Sequence, residues 1–254
     1  MSEIVLHTRT QDGKPIAPLT LRMGSIIAVD KPLDWTSFDV VNRFRIMVKQ
    51  TVGHTGTLDP KATGLLLLCT GRATKQIEQL MLNRKEYVAT LKFGATTPSF
   101  DLEHPEDAHY PYEHITQGML EEALREFLGT TLQVPPIFSA VSVGGKRAYD
   151  LARKGKDCQL EGKPITIHEL EVVSFELPYA TLRISCGKGT YIRSLARDLG
   201  EKLQSGAYLT SLRRTQLGSV RVEDSLTLAE LPDFLTHAEL NEEGFDPIVP
   251  PTSK

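Results

Sequence analysis

Cysteine is scarce in this chain. Its three thiols among 254 residues, Cys69, Cys158 and Cys186, are an odd number without CxxC spacing. That excludes a disulfide scaffold and a cysteine metal motif, and it predicts reduced core or surface thiols. Long apolar runs are missing too: no stretch reaches the ~18 consecutive apolar residues of a membrane helix. The opening MSEIVLHTRTQDGK lacks the basic-then-apolar order of a signal peptide. The expected location is the cytoplasm, with no membrane partner. There are no internal repeats. Positive charge is not in excess overall, since the net charge is −3. Its distribution is uneven, however. Residues 223–254 hold eight acids and one lysine, which leaves +4 on residues 1–222, and residues 181–222 carry eight bases against two acids. Such a run is ordinarily a solvated face, but it could also follow a phosphate backbone.

What remains is ample for a packed core. At 40% hydrophobic content, a chain of this length buries roughly 70–75% of the surface its unfolded form exposes, enough for one sizeable domain or one with a small insert. Ser25 to Asp30 reads as a buried strand ending in the turn KPLDW. A helix follows, with Thr36 and Asp39 at capping-box spacing and Phe38, Val41, Phe44 or Arg45, and Val48 near one face. GLLLLCT reads as a strand, and Ala73, Ile77, Leu80 and Met81 as an amphipathic segment. In EYVATLKFG, Tyr87, Ala89, Leu91 and Phe93 alternate at strand period. Residues 95–114, with three prolines, read as a long loop. The next helix spans about Thr116 to Leu128, with Met119, Ala123, Leu124, Phe127 and Leu128 apolar and Gly129 as its stop. Strands are expected at ITIHELEVVSFEL and TLRISC. Thr190 then stands as the cap of a helix that puts Arg193, Arg197 and Glu201 on its polar side. Strands and helices intermixed with long inserts predict an α+β fold.

One carboxylate stands out. Asp59 lies in VGHTGTLDPKATG, a Gly/Thr/Pro loop just before an apolar strand. Gly53 and Gly56 open backbone conformations closed to other residues, and Pro60 fixes the residue after the acid, so the main chain aims the carboxylate. On local pattern alone, an Asp-Pro in a loop is more often a turn than a catalyst.

Four further stretches accompany this one in a fixed order: DKP-x-x-x-TS at Asp30 to Ser37, K-x-Y at Lys85 to Tyr87, VPPIFSAVSVGGKRAYDLARKG, and GKGTYIRSLARDLG at Gly187 to Gly200, with YLTSLRRTQLG at Tyr208 to Gly218 behind them. Together with GHTGTLDPKATG they resemble the TruB family of tRNA pseudouridine synthases over roughly residues 24–232. Several long motifs in one order are far more specific than any one of them. The resemblance implies a mixed, mainly antiparallel sheet flanked by helices and loops, with an RNA-gripping insert at about 133–163. It implies the conversion of the T-loop uridine of tRNA, position 55 in tRNA convention, to pseudouridine, without cofactor or metal.

The same resemblance implies a role for each site residue. Asp59 is the catalytic aspartate, a nucleophile or proton acceptor that needs no metal. Tyr87 stacks on the flipped uracil and helps move a proton. Arg193 pairs with the aspartate, its planar fork suited to a carboxylate. His54 fills the space the flipped base leaves. Leu212 lies against the base, and Arg213 and Arg214 suit phosphate contact. Lys31 with Pro32 supports the Asp59 loop, and Arg147 of the insert and Tyr191 beside Arg193 complete the substrate-binding set. The partner is the T stem-loop of tRNA, with no obligate protein partner.

Three departures from the family pattern bear on this. Asp34 stands where glycine is usual, so that turn must tolerate a side chain or change shape. Thr97 stands where an aspartate is common, which leaves the role of Asp101 open. The chain stops at FDPIVPPTSK, where many relatives continue into a PUA domain. The expected organisation is an N-terminal extension (1–23), a catalytic domain (24–232) and an acidic tail (233–254) with no PUA domain. Two other readings are a non-catalytic tRNA-folding chaperone on this scaffold and the guide-RNA-dependent branch of the superfamily. The presence of Asp59, Tyr87 and Arg193 argues against the first, and the missing PUA domain against the second.

Overall fold

The computed structural model describes residues 4–11, 19–21, 23–143, 145–148 and 160–237, and not the side chains of Val143, Lys146 and Arg147. Cys158, Arg153 and Lys154, most of the acidic tail and part of the N-terminal extension fall outside those residues. The chain divides into two compact units: residues 1–83 with 213–254, and residues 84–212.

The first unit opens with β1 (Val5–His7) and β2 (Ser25–Lys31), which pair in parallel with Val5 opposite Ser25. The stretch read as an unpatterned extension therefore contributes an edge strand. Helix α1 (Ser37–Val48) starts at the capping box expected from the sequence: Thr36 Oγ1 accepts from the Asp39 amide and the Asp39 carboxylate from the Thr36 amide. Its inward face is Val40, Val41, Phe44, Met47 and Val48, while Phe38 is 62% exposed. The expected face is thus rotated by about one residue, because Ser37 faces inward. β3 (Val52–His54) and β4 (Ala62–Thr70) pair antiparallel, and β4 pairs antiparallel with β2. A 3-10 turn (Gly71–Gln76) and α2 (Ile77–Met81) close this part.

The second unit begins with β5 (Lys85–Phe93), whose alternate residues Tyr87, Ala89, Leu91 and Phe93 are all buried, as the strand period predicts. β6 (Ala95–Thr96) and β7 (Ala108–His109) pair antiparallel. The expected long loop is therefore pinned at its base as a small hairpin. Helix α3 (Gln117–Glu126) is capped by Thr116 and buries Leu120, Ala123 and Leu124, with Met119 and Leu128 in solvent. Next come β8 (Gly129–Gln133), the short pair β9 (Ser142–Val143) and β10 (Lys146–Arg147), then β11 (Lys163–Glu176) and β12 (Tyr179–Cys186). Helix α4 (Ile192–Lys202) follows, and β13 (Ala207–Leu217) carries the chain back into the first unit. There β14 (Val220–Arg221) pairs with β13, β15 (Leu226–Thr227) pairs in parallel with β2, and α5 (Leu231–His237) ends the described residues.

Within the first unit, β2 and β4 are buried on both faces, which is why SIIAV and LLLLC read as continuous apolar runs rather than alternations. Ile27, Val29, Leu66 and Leu68 pack against α1 and α5 through Phe44, Met47 and Phe234. Ile26, Ala28, Leu65, Leu67 and Cys69 pack on the other side against Ala73, Val220 and Val222. Cys69 and Cys186 are buried thiols, neither in a disulfide, and burial pushes the Cys69 thiol up to about 12. In the second unit, β5, β12, β11 and β8 pair antiparallel in that order. The fold is α+β with a mainly antiparallel sheet, as expected.

Candidate active site

The Asp59 loop belongs to the first unit, and its neighbours on both sides hold it at the backbone. Ser37, the first residue of α1, donates from Oγ to the Leu58 carbonyl (3.1 Å) and accepts from the Leu58 amide (2.8 Å). The Ala62 amide donates to the Asp59 carbonyl at 3.0 Å, and the Asp34 amide to the Pro60 carbonyl at 2.9 Å. Residues 58 to 60 are therefore fixed by three separate elements, and the half-buried Asp59 side chain inherits that aim. A tightly fixed acid suits a reacting group, since about 1 Å of misplacement can cost ~10²-fold in rate.

Asp34 answers the question its glycine position posed. Its φ is 63°, so the turn keeps the left-handed conformation that favours glycine, and aspartate tolerates it. Lys61 Nζ donates to its carboxylate at 2.7 Å, an exposed pair. Lys31 lies on the inner side of the same turn, fully buried, with Nζ donating to the carbonyls of Pro32 (2.9 Å) and Trp35 (2.5 Å). Burial pushes its ammonium down to about 8, against the pull of Asp59, Asp34 and Asp30. The lysine thus ties the turn together and keeps positive charge near Asp59.

Arg213 and Arg214 were both expected at phosphates, but they part company. Arg214 is 1% exposed and donates to the carbonyls of Leu65 (2.7 Å), Gly56 (3.1 Å) and Thr55 (3.4 Å). It is a clamp on the loop leading to Asp59 and is closed off from solvent phosphates. Arg213 is partly exposed and grips Asp30 with both Nη atoms, at 3.1 and 2.7 Å. His54, on β3, has its pKa lowered, first by burial and then by the Arg214 charge. Lys31, His54, Asp59 and Arg213 therefore share one neighbourhood organised around Arg214.

In the second unit, Tyr87 is 7% exposed on β5, opposite Ile184 of β12. The expected cap Thr190 instead donates its hydroxyl to the Gly187 carbonyl, and Tyr191 is the N-cap of α4 without a side-chain cap bond. Gln133 instead holds the backbone of the cap residue itself: its Oε1 accepts from the Tyr191 amide (2.9 Å) and its Nε2 donates to the Tyr191 carbonyl (3.1 Å). Arg193 does not lie on a solvated face. All of residues 192–196 are buried, because the segments around Ser99 and Phe138 enclose the first turn of the helix. The guanidinium donates to the carbonyls of Ser99 (3.1 Å) and Phe138 (2.9 Å), and its Nε lies 3.7 Å from the Asp101 carboxylate. Asp101, whose role the sequence left open, is thus a buried partner of Arg193. Thr97 holds it in place by exchanging hydrogen bonds with its backbone. Leu212 is half-buried on β13, and Arg147 lies on β10 opposite Ser142.

Sequence reasoning missed Ser37, Arg214 as a clamp, Gln133 and Asp101. Only Ser37 had a signal, as the serine of the TS pair in the first motif. No described group of three or more His, Cys, Asp and Glu residues could hold a metal ion.

The buried Arg193 and the anchored Asp59 loop both fall on motif positions, and comparison with family models decides the matter. The TruB family pseudouridylate synthase N-terminal domain matches residues 44–192, and the tRNA pseudouridylate synthase B C-terminal domain matches residues 193–254. The chain belongs to the TruB family. Proteins named tRNA pseudouridine synthase B in Phocaeicola vulgatus and Bacteroides thetaiotaomicron are 53% and 50% identical to it, over 88% and 89% of this chain and 98% of each relative. Among solved structures, a Cbf5-Nop10-Gar1 complex matches at a TM-score of 0.64 and 29% identity, and an H/ACA RNP bound to a substrate RNA containing 2'-deoxyuridine at 0.63 and 26%. Each match covers 85% of this TruB-family chain, which spans 55% and 54% of the respective neighbours.

Proposed function

We infer that this protein is a tRNA pseudouridine synthase that isomerises the T-loop uridine at position 55, with the T stem-loop as the part of tRNA it grips. The observation that carries this reading is the carboxylate of Asp59, presented on a loop fixed by Ser37, Asp34, Ala62 and Arg214, in a chain with synthase relatives along nearly its whole length. Pseudouridine is an isomer of uridine: the N1–C1′ bond breaks, a C5–C1′ bond forms, C5 loses a proton and N1 gains one. No electrons leave or enter, so a carboxylate that serves as nucleophile or proton acceptor suffices.

Asp59 carries that step in this reading. Tyr87 supplies an aromatic face for a base that has left its stack, and Arg193 supplies a guanidinium whose orientation is set by Ser99, Phe138 and Asp101. His54, Leu212, Arg213, Arg147 and Tyr191 contact RNA, and Lys31 supports the loop. Burial and then the Arg214 charge lower the His54 pKa, which suits a side chain that fills space rather than carries charge. The bases of the Arg183–Arg221 stretch that reach the surface follow phosphates, so binding weakens with salt, while the buried Arg193 and Arg214 take no part in that attraction. Cytoplasmic tRNA is the substrate pool; no described helix is long and apolar enough to cross a membrane.

Incubating the purified protein with an unmodified tRNA transcript and mapping pseudouridine at nucleotide resolution tests this. One modified uridine, in the T-loop, is expected. Modification elsewhere only, or none, overturns the reading.

A further inference from the structure

Ser99 sits at the centre of the contacts around Arg193. Its carbonyl accepts from Arg193 Nη1 at 3.1 Å, and its hydroxyl donates to Asp101 Oδ1 at 2.6 Å. The same hydroxyl lies 3.0 Å from His104 Nδ1. A serine hydroxyl has one proton, and that proton is committed to the carboxylate. The contact with His104 is therefore made by an Nδ1–H that donates to the serine oxygen. His104 also touches the other support of Arg193, since its ring lies 4.7 Å from that of Phe138, tilted by 39°, and the Phe138 carbonyl accepts from Arg193 Nη2 at 2.9 Å.

The loop is built to converge in this way. Phe100 has a φ of 57°, an uncommon backbone for a bulky residue, and it is pinned on both sides by its amide to the Thr97 carbonyl and its carbonyl to the Leu209 amide. Asp101 Oδ1 also accepts from the Glu103 amide at 2.9 Å, which draws the chain round toward His104.

We propose that His104 is a positioning residue for the isomerisation: through the Ser99 hydroxyl it fixes the Asp101 carboxylate and the Ser99 carbonyl that aim the Arg193 guanidinium. The proposal rests on the reading of Arg193 as part of the catalytic machinery. His104 touches no reacting atom. Its imidazole proton holds the Ser99 hydroxyl in the rotamer that faces Asp101, so losing it frees the serine and lets Asp101 and Arg193 drift together.

Two substitutions separate the hydrogen bond from the ring contact. His104→Phe keeps a ring against Phe138 and removes the donor, while His104→Asn keeps a donor near Nδ1 and removes the ring. With unmodified tRNA transcript, His104→Phe should lower kcat about tenfold with KM within about threefold, a fraction of the loss that outright misplacement brings. His104→Asn should stay within about threefold of the parent kcat. Ser99→Ala should resemble His104→Phe, and the double variant should be no worse than either single one, because both cut the same chain of bonds. His104→Phe within twofold of the parent kcat, or His104→Asn falling as far as His104→Phe, overturns the proposal. A parent protein with no pseudouridine activity would instead overturn the functional reading. NMR of the Arg193 Nε–H then decides the proposal on its own: faster solvent exchange in His104→Phe with parent-like exchange in His104→Asn supports it, and equal exchange in all three overturns it.

Discussion

Arg214 is the residue by which the loop hypothesis is most exposed to test, because it acts without touching substrate. Replacing it by methionine keeps a long unbranched side chain of similar reach and removes a guanidinium that holds three carbonyls. Two of its bonds are well formed, 2.7 Å to Leu65 and 3.1 Å to Gly56, and the third, 3.4 Å to Thr55, is long. A hydrogen bond from a charged donor contributes about 1.5–3 kcal/mol. Relief from burying a charge offsets part of the loss of two such bonds, leaving a destabilisation of about 3 kcal/mol. For a chain of this size that lowers Tm by about 6–12 °C. The loop that leads to Asp59 loses its anchor at the same time, so kcat should fall at least about tenfold. Removing the nearby positive charge should also raise the His54 pKa toward its ordinary value, while burial keeps it below. Thermal unfolding by circular dichroism, single-turnover kinetics and an NMR titration of His54 read the three effects. A Tm within 2 °C and a rate within twofold of the parent would refute the assignment of Arg214 as a clamp.

Other expectations follow from particular contacts. His7 is fully buried with both ring nitrogens lacking a hydrogen-bond partner among the described residues, and burial pushes its pKa down from 6.5 to about 4. The unfolded chain therefore binds a proton in that window that the folded one refuses, and stability falls as pH drops. His7→Leu should lack about 2.5 kcal/mol of the parent's loss between pH 7.5 and 4.5, read from urea midpoints. Parallel losses in both proteins would contradict it. Gly64 has a φ of 107°, and a Cβ there would lie 2.3 Å from the Arg214 carbonyl oxygen. Gly64→Ala should cost at least about 2 kcal/mol, and an unchanged urea midpoint would show that β13 yields freely. Ser37→Ala removes both bonds to Leu58 and should reduce kcat more than RNA affinity. Equal losses would mean that the serine acts on binding.

Much of the fold was legible because its signals are local. The Thr36 and Asp39 capping box, the alternation around Tyr87 and the doubly buried runs of β2 and β4 each follow from the period or chemistry of neighbouring residues. The errors share a cause. Phe38 was placed inside and Arg193 outside because a helical wheel assumes one wet face, whereas tertiary packing decides which face is covered and can enclose a whole first turn. The β6–β7 hairpin and β1 escaped notice because two- and three-residue strands carry no periodicity. In the site, Asp59 was legible from its loop and motif. Arg214 and Asp101 were not, since what distinguishes a clamping arginine or a buried aspartate is the carbonyl or guanidinium it meets from a distant segment.

The central claim is that the Asp59 carboxylate performs the isomerisation. Asp59→Asn keeps the shape and much of the hydrogen bonding of that side chain while removing its charge. With unmodified tRNA transcript and pseudouridine mapped at nucleotide resolution, the variant should bind RNA within a few-fold of the parent and form no pseudouridine at the T-loop uridine. Turnover by a homogeneous Asp59→Asn preparation would contradict the claim.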